Sequence, residues 1–365
     1  MDKRATKIQI RAVTLFSGTR QLANSRRAVQ SPQTKKWGTT LNICIYGAGV
    51  IGGILASAVE RAGHKTSVIA RGVHLDAIQR RGLIVRTKDR SEETRPIAVA
   101  DPAQLCVQDL VIVATKTPSL PDVAACISPL IGAHTLVAFA VNGIFWFYGD
   151  GFLSRGVTVD TKRLDPNGML HSIVTPERAL GIVCISGGEI REPGIIEATR
   201  HDGRFIVGAA MKKTSALASA LIGSIRPVDI NLEWSDDIRL EMWRKFLSVS
   251  GNFATCALTG GTIAQVQTTP GVQTVQLGLA SEAYAVARAH GFDSLGFDVE
   301  KQRANPVLSN HKPSMLQDLE KGRVMEIDSA YLVLQDLARQ ARLSTPTLDI
   351  VAPLLELRAR TAGCR

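Results

Sequence analysis

The sequence predicts an α/β protein in which a doubly wound, mostly parallel sheet is followed by an all-α C-terminal domain. Three observations carry that prediction. A short apolar run, 41–46, feeds directly into Gly47-Ala48-Gly49-Val50-Ile51-Gly52-Gly53 and then a helical pattern. Apolar runs and helical segments alternate from there to about residue 233, the pattern of parallel β-α-β units with helices on both faces. From about Trp234 strand signals disappear and long amphipathic segments take over.

Taken in order, the first strand is followed by a helix over 54–62 that closes at Gly63, and a second strand over 66–70 ends at Arg71-Gly72. A short helix over 76–81 and a strand over 83–86 come next, and 109–114 and 135–141 read as further buried strands. The stretch 154–176 is irregular, with Asp165-Pro166-Asn167-Gly168 as a turn signal. Strands over 180–185, 194–199 and 204–207 have a more antiparallel character, 215–225 is helical, and Pro227 marks the approach to a boundary. The helices expected beyond it are 236–258, 271–290, 310–321, 327–341 and 347–360.

The chain has 365 residues, of which 45% are hydrophobic, enough for a sizeable core and for two domains. Its formal net charge of +10 raises a nucleic-acid hypothesis. The first 40 residues, however, carry nine basic side chains against Asp2 alone, a net of +8, which leaves +2 for the 325 that follow. Aromatic residues in that arm are limited to Phe16 and Trp37, so no nucleic-acid partner is expected. The arm reads as a disordered extension, a transit-type leader or a translation upstream of a start near Leu41. The six cysteines, Cys44, Cys106, Cys126, Cys184, Cys256 and Cys364, form no C-x-x-C pair. Neither a metal site nor a disulfide framework is indicated, and a reducing, cytoplasmic location is expected. The most apolar stretch, 135–149, is too short for a membrane span and carries Asn142 in its middle.

The glycine run is informative because of where it lies. Gly47-x-Gly49-x-x-Gly52 follows a buried strand and opens a helix, the context of a Rossmann-type dinucleotide site. The first glycine permits the tight turn, the second lets backbone approach a pyrophosphate, and the third allows close helix–strand packing. Gly47, Ala48, Gly49, Val50, Ile51 and Gly52 are therefore the expected cofactor-binding turn. No acid lies between Glu60 and Asp76, where an NAD enzyme would hold the ribose 2′-hydroxyl. Arg71 stands there instead and suits a 2′-phosphate, so the cofactor expected is NADP(H).

With these features in place, the chain from Leu41 onward resembles the ketopantoate reductases (2-dehydropantoate 2-reductases). The pieces that carry the resemblance are the glycine run, Ala70-Arg71-Gly72-x-His74-Leu75, Ala114-Thr115-Lys116, Val141-Asn142-Gly143, Trp243-Arg244-Lys245-Phe246, and Ser314-Met315-Leu316-Gln317-Asp318 through Glu326-Ile327-Asp328. The resemblance implies NADPH-dependent reduction of a 2-keto acid to a 2-hydroxy acid in the cleft between two domains. The foremost substrate it implies is 2-dehydropantoate, reduced to pantoate in pantothenate biosynthesis. It implies Lys245 as the catalytic lysine, Glu326 as the acid that holds the substrate's hydroxyl, and Ser314 as the hydroxyl that binds its carboxylate. Lys116 and Asn142 match the pair beside the nicotinamide and the reacting carbonyl. The partition that results is a basic extension, 1–40, an NADP-binding domain, 41–233, and a helical substrate and catalytic domain, 234–365. The partners implied are a small-molecule 2-keto acid and, in a homodimer, a second copy of the chain.

The sequence also departs from the resemblance. Val249, Phe253 and Ile263 stand where the best-known members carry asparagines, and Asn252, one residue off register, is the candidate substitute for substrate binding. Two other readings compete. A β-hydroxyacid-type dehydrogenase usually places an asparagine four residues after its lysine, where Val249 stands. A catalytically inactive NADP-binding sensor need not keep Lys245, Ser314 and Glu326 together.

Overall fold

Five residues of almost unbroken apolar character, Asn-Ile-Cys-Ile-Tyr, make a strand that is buried on both faces, the signature of a central parallel strand. In the structure, a computed structural model that describes residues 40–151, 159–200 and 202–365, this is β1 (Asn42–Tyr46). The basic extension assigned to 1–40 lies outside the described residues except for Thr40. The chain continues through α1 (Val50–Arg61), β2 (Lys65–Ile69), α2 (Gly72–Arg81), β3 (Leu83–Arg86), β4 (Ser91–Thr94), β5 (Ile97–Val99), β6 (Leu110–Val113), α3 (Leu120–Cys126) and β7 (Leu136–Phe139). Next come α4 (Met169–Ile173), β8 (Ala179–Ile185), β9 (Gly188–Glu192), β10 (Ile195–Ala198), β11 (Arg204–Ala209), α5 (Ser215–Ile225) and β12 (Asn231–Trp234). The rest is helical: α6 (Ile238–Thr259), α7 (Ile263–Thr268), α8 (Pro270–Ala289), α9 (Val299–Ala304), α10 (Ser314–Glu320), α11 (Val333–Gln340) and α12 (Pro346–Thr361).

Eight strands form the main sheet in the order β12-β11-β8-β7-β6-β1-β2-β5, and every pairing is parallel except β8 with β11. Chain order reverses around β1, which has β2 on one side and β6 on the other. That switch point opens a crevice at the carboxyl ends of the strands. The fold is thus the α/β class expected, a doubly wound sheet followed by an all-α segment.

Alternation along the strands decides the layers. Leu110 and Ile112 of β6 face a core shared with α1 and α5, whereas Val111 and Val113 face the other side. That second side is continuous with the core of the helical segment, through Trp243, Leu279 and Tyr331. The aromatic run Phe145-Trp146-Phe147-Tyr148 is fully buried there and anchors α6. Trp243 Nε1 donates to the Tyr148 hydroxyl at 3.0 Å. Arg239 fans onto the carbonyls of Phe147, Tyr148 and Ala210 at 2.9–3.0 Å, and onto that of Asp150.

Several elements refine or correct the sequence expectation. The strand expected over 194–199 forms, with the antiparallel partner its character suggested. As β10 it pairs with β9 and with β3, in a separate four-stranded sheet ordered β4-β3-β10-β9. Within the stretch read as irregular, a short helix α4 forms, and Asp165 holds its first turn by accepting the backbone N–H groups of Leu170 (3.1 Å) and His171 (3.0 Å). The helix expected over 310–321 begins only at Ser314, because Pro313 lacks the N–H and the preceding residue is held extended. The helix expected over 327–341 opens with a π-helical turn, Asp328–Leu332, before α11. Among the described residues no helix is long and apolar enough to cross a membrane.

Candidate active site

The glycine turn behaves as its three positions require. Gly47 has φ +105, a conformation that favours glycine, and its N–H donates to Ile69 O at 3.0 Å. A Cβ at Gly52 would lie 1.9 Å from the Gly47 carbonyl oxygen, so only glycine lets α1 seat on the turn. A Cβ at Gly49 would meet nothing within 4 Å, which leaves open space where a ligand can approach backbone. No side chain caps the start of α1 and no acid sits in its first turn, so its N–H groups and positive dipole end suit a phosphate.

Ala48 is buried, and its carbonyl is gripped by His74 Nε2 at 2.7 Å. His74 Nδ1 accepts from Gly194 N at 3.0 Å, so the ring proton sits on Nε2 and is the one donated to Ala48. His74 therefore ties the glycine turn to the β9–β10 hairpin. Sequence reasoning quoted this residue without giving it a role.

From this turn a cleft of about 850 Å³ runs across the carboxyl ends of the strands. Gly47, Gly49, Val50, Ile51 and Arg71 line one end, and Lys245, Asn252, Ser314 and Glu326 line the other, with Lys116 and Asn142 between. Its size fits a small-molecule or cofactor site. Of the expected site residues only Ala48 and Gly52 are absent from the lining, being packed behind it.

At the second end four separate segments converge. Lys245, in the third turn of α6, donates from Nζ to Asn142 Oδ1 at 2.8 Å. Asn142 leaves the end of β7, and its Nδ2 donates to Glu326 Oε2 at 3.4 Å. Lys116, after β6, donates to Asp318 Oδ2 at 2.6 Å and lies 3.5 Å from Glu326 Oε2. The loop after β7 is pinned to the π-helical turn, which fixes the Asn142–Glu326 geometry. Ile144 N donates to Ser329 O at 2.8 Å, and a Cβ at Gly143 (φ +84) would lie 2.3 Å from that same oxygen. A π turn of this kind recurs at functional positions because it resets the register of side chains that follow it.

Electrostatics distinguishes the two lysines. Burial holds the Lys245 ammonium below the ordinary lysine range, against smaller upward pulls from Cys184 and Glu326. Burial also pulls Lys116 down, but the carboxylates of Glu326 and Asp318 together outweigh it and raise the pKa. Lys116 therefore remains a firm cation, and Lys245 is the lysine suited to exchange a proton.

Two residues here were missed by sequence reasoning. Thr117 donates its N–H to Glu326 Oε1 at 3.1 Å, and its hydroxyl meets that of Ser329 at 2.9 Å. Asp318, 1% exposed, holds Lys116 and accepts from Arg323 Nε at 2.9 Å. Its signal was its place in the quoted Met-Leu-Gln-Asp run. Asn252 lines the cleft, but its Oδ1 is engaged by Gln267 Nε2 at 3.1 Å, and Gln267 in turn accepts from Val307 N at 2.6 Å. Among the described residues no group of three or more His, Cys, Asp or Glu side chains is placed to hold a metal.

Comparison with known proteins gives a consistent result across both parts of the chain. The family profile described as ketopantoate reductase PanE/ApbA matches residues 43–147, and the one described as its C-terminal part matches 237–359. A 2-dehydropantoate 2-reductase of Mesorhizobium japonicum is 35% identical over 327 residues, covering 89% of this chain and 99% of that one. A crystal structure from Ralstonia solanacearum MolK2, assigned to the ketopantoate reductases, is 31% identical with a TM-score of 0.79, covering 89% of this chain and 100% of the other. A dimeric ketopantoate reductase from Staphylococcus aureus shares the fold, at 18% identity and a TM-score of 0.66 over 88% of this chain and 99% of its own.

Proposed function

The chain belongs to the ketopantoate reductase family and is an oxidoreductase acting on CH–OH groups; on that premise we propose that it reduces a 2-keto acid with NADPH, 2-dehydropantoate being the first substrate to test. The observation that supports this most is the Lys245–Asn142–Glu326 contact at the far end of a cleft that begins at the glycine turn. The open space at Gly49, the uncapped start of α1 and Arg71 in the lining fit the pyrophosphate and 2′-phosphate of NADPH.

When bound, NADPH supplies the hydride. The residues of the chain do the rest. Hydride arrival at a ketone builds negative charge on its oxygen, and a positioned ammonium stabilises that charge and then gives up a proton. Lys245 takes this role: Asn142 Oδ1 orients its Nζ, and its burial lowers the cost of releasing the proton. Glu326 is aligned by Thr117 N and Asn142 Nδ2 to hold the hydroxyl of the product. Ser314 is assigned to the substrate carboxylate, Asn252 is a further substrate-facing residue on the cleft wall, and Lys116 adds fixed positive charge between cofactor and substrate.

In this reading, residues 41–233 hold the cofactor and 234–365 meet the substrate. The dimeric relative supports a homodimer. The six cysteines, none in a disulfide, support work in a reducing compartment such as the cytoplasm.

The test is the rate of NADPH and of NADH oxidation with 2-dehydropantoate and a panel of 2-keto acids, for wild type and Arg71→Ala. The expected result is keto-acid-dependent oxidation that prefers NADPH, with the preference reduced by about tenfold in the variant, the value of one charge-assisted contact. Tight NADPH binding without turnover of any keto acid would contradict the proposal.

A further inference from the structure

We infer that the cleft holds the side chain of its 2-keto acid as hydrocarbon, favouring an apolar group beside the carbonyl and making no hydrogen bond to a hydroxyl on that group. The inference rests on the reductase reading above and adds the chemistry of the substrate's remaining part.

The inner end of the cleft has a polar side and an apolar side. On the apolar side, α6 presents Met242, Phe246, Val249 and Phe253, at successive spacings of four, three and four residues that put them on one helix face. Phe145 and Val183 join them in the lining. The polar side chains at this end are already engaged by other groups or required by the reacting atoms. Lys245 and Asn142 bond each other, and Glu326 accepts from Thr117 and Asn142. Asp318 is held between Lys116 and Arg323, and Ser329 meets Thr117. Ser314 remains for the carboxylate. Asn252 lies on the wall of the wider cleft and is not among the residues of this innermost part, and its Oδ1 accepts from Gln267 Nε2.

A hydrocarbon group placed against this stripe takes apolar surface of both partners out of water, which favours binding in proportion to the area covered. A hydroxyl placed there loses its water partners and gains none, at a cost of about 1–3 kcal/mol. The discrimination expected from such a wall is characteristic. A site built to bond a hydroxyl rejects the analogue lacking it by roughly 10⁴-fold or more, whereas an apolar site accepts that analogue as well or better.

Two substrates differing at one group read this directly. 2-Dehydropantoate carries two methyls and a hydroxymethyl on the carbon beside its carbonyl, and trimethylpyruvate carries three methyls. The expected result is a kcat/KM for trimethylpyruvate equal to or above that for 2-dehydropantoate. In Val249→Asn, which adds an amide to the stripe, the ratio should move toward 2-dehydropantoate by about tenfold, the value of one gained hydrogen bond.

A wild-type preference for 2-dehydropantoate, or a ratio that Val249→Asn leaves in place, would overturn the inference while leaving the reductase reading intact. Turnover of neither compound, nor of the wider keto-acid panel, would remove the reductase reading and the inference with it.

Discussion

The two ends of the cleft recognise their ligands by different means. The end at Gly47–Gly52 is built from backbone: its features are a left-handed glycine, an open Cβ position and the unpaired start of a helix. The end at Lys245 is built from side chains, and it depends on contacts between residues 103, 184 and 202 positions apart in the chain. A backbone site needs only a local arrangement, so it can be specified by spacing within one turn. A side-chain site has to be assembled by the whole fold.

That difference explains how much was legible in the sequence. Gly47, Gly49 and Gly52 announce their roles because each absent side chain has a local geometric reason. Lys245, Glu326 and Asn142 announce nothing by themselves: a lysine on a helix, a helix carboxylate and an asparagine before glycine are ordinary surface patterns. Only their resemblance to the family's motifs singled them out. Thr117 stayed hidden because its contribution is a backbone N–H, which no side-chain pattern encodes. The strand β4, Ser-Glu-Glu-Thr, and the strand β9, Gly-Glu-Ile-Arg-Glu, were invisible for a related reason. They lack apolar alternation, and β4 forms only by pairing with β3 in a sheet completed about a hundred residues later by β10. Pro313, by contrast, carried a legible local signal that the expected 310–321 helix ran through, and α10 begins directly after it.

The comparison can be broken most decisively at the backbone end. Gly52→Ala puts a methyl into the Gly47 carbonyl, so it should lose nucleotide binding and cost about 2–3 kcal/mol in thermal unfolding, as overpacking does. Gly49→Ala meets no atom of the chain, so it should unfold within about 0.5 kcal/mol of wild type while binding NADPH more weakly. If both variants lose stability equally, the distinction between a packing glycine and a ligand-facing one is wrong.

At the side-chain end the sharper effect is on pH dependence. The proton donor has to be charged, and burial lowers the Lys245 pKa below its ordinary value of 10.5. Activity should therefore be full at lower pH and fall as pH rises through the folded pKa, giving an alkaline limb in kcat/KM at a pH below 10.5. A rate that stays flat to pH 10.5 would assign the proton to another group.

The central claim is that Lys245 acts on the reacting atoms, whereas the glycine turn holds the cofactor. The most direct test measures NADPH affinity and keto-acid turnover side by side in wild type and Lys245→Ala. The predicted result is an NADPH Kd within about threefold of wild type and a kcat lower by roughly 10²–10⁴, the contribution of a positioned acid. Turnover retained in the variant would contradict the claim, and so would a loss of NADPH binding that accounts for the whole loss of rate.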